Sequence, residues 1–205
     1  MAWFFRKKKT DDAEEAAEVT EASVAQNTPT TGPFDEADHP QRGALLDAGS
    51  LWLPKVAGVS IQFPFDNRRK EVRGILYSKK GGMLQLQAYA APRSRGLWHD
   101  VRTDMITSIA KQGGSSKEVD GPFGTELHAQ MPVPNVDQPQ PHRFIGIDGP
   151  RWLLRATLYG RAATNQQLAD EMFDIVRRVV VVRGQDPHPP RDLLPLTVPK
   201  PAKKK

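Results

Sequence analysis

The chain has 205 residues, with 29 Lys and Arg against 24 Asp and Glu, a net charge of +5 and no cysteine. That composition excludes disulfides, thiolate catalysis and cysteine-type zinc sites, and no apolar run approaches the roughly 20 residues that a membrane-spanning helix needs. With 38% hydrophobic residues, 18 Pro and 16 Gly, the chain reads as one folded domain whose ends stay outside its core.

Residues 1–33 read as a disordered charged arm, rich in Ala, Glu and Thr and without packing periodicity. Its opening places Trp3, Phe4 and Phe5 beside Arg6, Lys7, Lys8 and Lys9, a cluster suited at most to weak peripheral contact with an anionic membrane. The aromatics precede the cations, the reverse of a signal peptide, so a cytoplasmic protein is expected. An acidic run follows at once. A second basic group (Lys200, Lys203, Lys204, Lys205) closes the chain. The eight basic and six acidic residues of these ends contribute +2 of the net +5, and the +3 left to the body is too small an excess for a nucleic-acid footprint by charge alone.

The expected domain covers residues 34–190. Residues 34–54 hold Leu45, Leu46, Leu51, Trp52 and Leu53, too apolar to float, and are expected to lie across the domain surface. Val59, Ile61 and Phe63 then alternate with polar residues, residues 72–77 form a second run, and Leu84, Leu86 and Ala88 alternate after a Lys79-Lys80-Gly81-Gly82 turn. Leu97, Val101, Met105 and Ile109 recur every fourth residue and predict a helix over residues 97–111, stopped by Gly113-Gly114. A further strand carries Leu127, Ala129 and Met131, and a proline-rich loop spans residues 132–141.

The clearest folding signal is PHRFIGIDGPRWLLRATLYGRAATNQQLADEMFDIVRRVVVVRG, residues 141–184. Asp148-Gly149 offers turn chemistry between two strands. Beyond it, Trp152, Leu154, Ala156 and Leu158 share one face while Arg151, Arg155, Thr157 and Tyr159 share the other. Thr164-Asn165-Gln166-Gln167 has the pattern of a capping box, and Leu168, Met172, Ile175, Val176 and Val179 form an apolar helical stripe. Residues 191–205 read as an extended Pro- and Lys-rich tail, with Leu193, Leu194, Leu196 and Val198 as its packing candidates. Strands linked by tight turns and interrupted by two helices predict an α+β fold: one mostly antiparallel sheet of six or seven strands, with both helices on one face.

Catalytic signals are lacking. His39, His99, His128, His142 and His188 form no metal-ligand spacing and read as solvated or lightly packed rings. Ser94 and Ser108 lack a nucleophile-elbow context, the glycine pairs lack the P-loop lysine, and no carboxylates pair in a predicted cleft. No catalytic residue, metal ligand or cofactor site is assigned. The remaining signal is arginine: Arg93, Arg102, Arg151, Arg155 and Arg161, with Trp98, make the candidate interaction surface. Two readings stay open for it. It is a binding face, or a solvated face whose arginines pair with Glu126, Asp148 or Asp104.

Four segments carry a resemblance: APRSRGLWHDVR (residues 91–102), DGPFGTEL (residues 120–127), DGPRWLLRATLYGRAA (residues 148–163) and VVVRGQDPHPPRDLLPLTVP (residues 180–199). Together they resemble an actinobacterial family known as a domain of unknown function, over about residues 34–199. The element order is also similar to the Mog1/PsbP-like fold, whose members bind protein partners. The resemblance implies no catalytic residue, cofactor or substrate. The function expected is a non-catalytic module that binds a protein partner. The alternative is a nucleic-acid- or nucleotide-associated factor using the arginine-bearing surface.

Overall fold

The computed structural model describes residues 31–68 and 70–199. The charged arm before residue 31, its Trp3–Lys9 cluster and the basic end from residue 200 lie outside the described residues. In chain order the elements begin with β1 (Phe34–Asp35), β2 (Leu46–Asp47), β3 (Leu51–Leu53), β4 (Ser60–Gln62), β5 (Phe65–Asp66), β6 (Glu71–Val72), β7 (Ile75–Lys79) and β8 (Gly82–Ala90). Helix α1 (Trp98–Lys111) precedes β9 (Ser115–Gly121), β10 (Gly124–Val133), β11 (Val136–Gly149) and β12 (Trp152–Gly160). Helices α2 (Arg161–Thr164) and α3 (Gln166–Val176) and strand β13 (Val180–Val181) complete the set.

The main sheet has seven antiparallel strands in the order β4-β7-β8-β12-β11-β10-β9. An α+β fold dominated by one antiparallel sheet follows. A smaller sheet, β1-β13-β3-β2, carries a parallel β1–β13 pair. Leu51 and Leu53 of β3 are fully buried and belong to the main core, so this segment is part of the core and does not merely cross the surface.

The helices lie on opposite faces of the sheet, not on one. Antiparallel pairing puts Ile145, Ala156, Leu86 and Ile75 on a common face, where they share a core with Leu168, Met172, Phe173 and Val176 of α3 and with the small sheet. Leu153, Tyr89 and Phe144 take the other parity and pack with Trp98, Val101 and Met105 of α1. The physical cause is visible in β12, where the adjacent Leu153 and Leu154 both have no exposed surface. Successive strand residues point to opposite faces. Leu153 is covered by the α1 cluster and Leu154 by the α3 core, so burying both leucines requires a layer on each side of the sheet.

Local corrections have local reasons. The β11–β12 turn is Pro150-Arg151, because Gly149 pairs with Trp152. Arg151 takes the positive φ of 63°. Gly149 is needed for space instead, since a Cβ there would strike the Trp152 ring. Helix α3 is capped by Asn165, whose side chain accepts the Leu168 N–H at 2.9 Å, and Thr164 ends α2. The proline-rich stretch is mostly strand: β11 starts at Val136 and pairs with β10, and Pro139 and Pro141 precede the stretch that β12 flanks. Residues 191–196 run beside the end of β8, with Ala90 N–H donating to Asp192 O and Leu194 N–H to Ala88 O, both at 2.8 Å. Leu194 is fully buried there and Leu196 nearly so, while Val198 is exposed.

Candidate functional site

Helix α1 is held at its start by a strand residue. Asp148 accepts the Leu97 N–H at 2.7 Å and the Trp98 N–H at 3.1 Å through Oδ1. The Trp98 ring lies against Gly146, where a Cβ would collide with it, and its Nε1–H donates to Thr125 O at 2.7 Å. Arg102 stacks over Trp98 at 5.6 Å and donates to Glu118 at 2.6 Å. Trp98 and Arg102 are both buried. These two predicted surface residues therefore fasten α1 to the sheet.

The other four do not form one patch. Arg93 is exposed in the loop before α1. Arg151 sits at the hairpin tip, donating to Gly184 O at 3.2 Å, while its own carbonyl accepts from Ala91 N–H and Arg183 Nε. Burial first, and the nearby Arg151 charge second, lower the Arg183 pKa. Arg161 lies beyond the far end of β12 and donates to Lys80 O at 3.3 Å, roughly 30 Å from Arg151 at ~3.3 Å per strand residue. Arg155 lies between them, on the α1 side of the sheet.

That side is only half covered. Helix α1 packs over β9, β10, β11, Leu153 and the edge of Tyr89, leaving the side chains of β4 and β7 and most of those of β8 and β12 without a helix. On this open half Arg155 donates to Gln87 at 2.5 Å and stacks over the Tyr89 ring at 5.2 Å. The Gln87 amide in turn donates to Arg73 O at 2.7 Å. Tyr159 stacks on His142 at 5.6 Å, and His142 on Phe144 at 5.9 Å. Burial raises the Tyr89 pKa, opposed by Arg155 and Arg73, and burial also raises that of Tyr159. The four strands contain no Asp or Glu.

On the opposite face, sequence reasoning missed a polar cluster. Glu126 is fully buried. Its Oε2 accepts from Arg143 Nε at 3.1 Å and Nη2 at 2.9 Å, and bonds His128 Nε2 at 3.0 Å. His128 is thus anchored to a carboxylate and His142 is stacked, so neither is merely solvated. The available signal was the spacing Glu126-x-His128, which puts both side chains on one face of a strand; Arg143 joins them only through the register between β10 and β11. Among the described residues no group of three or more His, Asp or Glu is arranged to hold a metal ion, and no helix is long and apolar enough to cross a membrane.

One dominant antiparallel sheet, helices on both of its faces and polar clusters on its surfaces define an α+β protein. The chain belongs to a family of proteins of unknown function, DUF3710, whose profile matches residues 32–205. It is also similar to the solution structure of cyanobacterial PsbP (CyanoP) from Synechocystis, at 12% identity and a TM-score of 0.38, covering 64% of this chain and 86% of that one. No curated protein matches it.

Proposed function

We propose that the protein is a non-catalytic interaction module of the cytoplasm, and that a protein segment bearing a carboxylate docks on the half of the sheet that α1 leaves open. The observation that carries this reading is a polar and aromatic half-face with Arg155 at its centre, built on four strands that contain no Asp or Glu. Arg155 is already held by Gln87 and Tyr89, so fixing it on binding costs little side-chain entropy. Tyrosine, methionine and arginine are enriched at protein contacts, and Tyr89, Tyr159, Met83 and Arg155 are all only partly buried here. A nucleic-acid backbone calls for several phosphate-neutralising cations, and this half-face offers Arg155, with Arg73 beside it already paired with Asp66.

The test is affinity capture from the cells that make the protein, followed by crosslinking and mass spectrometry. The expected result is a protein crosslinked to β8 and β12 whose capture is lost with Arg155→Glu and with Tyr159→Ser. Capture should persist with Arg177→Glu, on the opposite face. Loss of capture on nuclease treatment, or a partner indifferent to both open-face substitutions, would refute the reading.

A further inference from the structure

We infer a separate ligand site on the α3 side of the sheet, a cleft that accepts a small phosphorylated molecule. The pairing register sets Lys117, His128 and Arg143 in one row across β9, β10 and β11, with about 5 Å between strands. A cleft of about 440 Å³ opens between this row and Ala163-Thr164 at the end of α2, within the size range of small-molecule sites. Ser115 and Gln130 line it as well.

Behind the row, the buried Glu126 carboxylate fixes the guanidinium of Arg143 and the ring of His128 through one oxygen. Arg143 is 9% exposed and also stacks over Phe173 at 5.0 Å, so its orientation is set before any ligand arrives. No carboxylate lines the cleft, and among the described residues none pairs with Lys117. The single charge of Glu126 therefore faces two permanent cations, and the local field favours an anion. Arg143 Nη1 and the Lys117 ammonium remain to donate to a ligand, with the hydroxyls of Ser115 and Thr164 nearby, while the His128 Nε2–H is already given to Glu126. Donors spread over two strands and a helix end suit the several oxygens of a phosphoryl group better than a planar carboxylate.

The experiment is an NMR titration of the protein with pyrophosphate at constant ionic strength, with citrate as the carboxylate comparison. Saturable shifts confined to residues 115–117, 128–130, 143 and 163–164 are expected, weakened roughly tenfold or more by Lys117→Glu. Lys117 is exposed, so this variant should keep the fold, which the unchanged remainder of its spectrum would verify. Shifts scattered over other surface lysines, or equal affinity in Lys117→Glu, would overturn the site. Citrate binding as tightly as pyrophosphate would overturn the phosphoryl assignment.

Discussion

Replacing Asp148 by alanine tests how α1 is fixed to the sheet. The helix has no side-chain cap of its own, and the Asp148 carboxylate takes both the Leu97 and Trp98 N–H groups. Loss of a cap costs about 1 kcal/mol and up to ~2. The negative charge at a helix N-terminus contributes a further ~0.3–1 kcal/mol, and its exposed position places it at the low end through solvent screening. Asp148→Ala should therefore lose about 1.5–2 kcal/mol, and Asp148→Asn, which keeps an acceptor but no charge, about 0.5 kcal/mol. Urea unfolding followed by circular dichroism gives both numbers, with an unchanged m-value as the check on two-state behaviour. Salt near 0.5 M should narrow the gap between wild type and Asp148→Asn while leaving most of the alanine deficit. An alanine variant within about 0.3 kcal/mol of wild type would show that the helix is held by packing alone, and alanine and asparagine variants equally far below wild type would show that the charge, not the accepted hydrogen bonds, supplies the effect.

Gly146→Ala should cost about 1–3 kcal/mol by forcing a methyl into the Trp98 ring; in a Trp98→Ala background the same change should cost much less, which a double-mutant cycle measures. Glu126→Gln should destabilise by about 3 kcal/mol or more, because it leaves the buried Arg143 charge without its counter-ion; calorimetry at neutral pH checks it. Above pH 10 stability should fall. Burial raises the pKa of Tyr77, Tyr89 and Tyr159 above the ordinary 10.0, so the unfolded chain releases those protons first and gains as pH rises from 10 toward the folded values. Tyr77→Phe should flatten that decline in an alkaline unfolding series; an unaltered slope would contradict the assignment.

The strands and both main helices were legible because their periodicity is local. Leu97, Val101, Met105 and Ile109 announce α1, and Trp152, Leu154, Ala156 and Leu158 announce the α3 face of β12. Which side of the sheet α1 would take was not legible, because Leu153 reads as an exception to alternation until a second covering layer is known. The Glu126 cluster was hidden for a related reason: Glu126 and His128 are near neighbours in sequence, but Arg143 reaches them only through pairing of β10 with β11. The arginine surface failed to gather because shared strand parity says nothing about separation along the strand. Asp148-Gly149 has the look of turn chemistry in sequence, yet the turn falls after it and the Asp148 carboxylate serves a helix some fifty residues earlier in the chain.

The segment beside β8 also sets an order of events. Strand β8 outruns β7, whose pairing with it ends at Leu86, so on that side Ala88 and Ala90 find their hydrogen-bonding neighbours only after residues 191–196 have left the ribosome. Until then a bare edge is available to any other extended chain, so shortened forms of the protein that stop before residue 191 should be prone to self-association during synthesis.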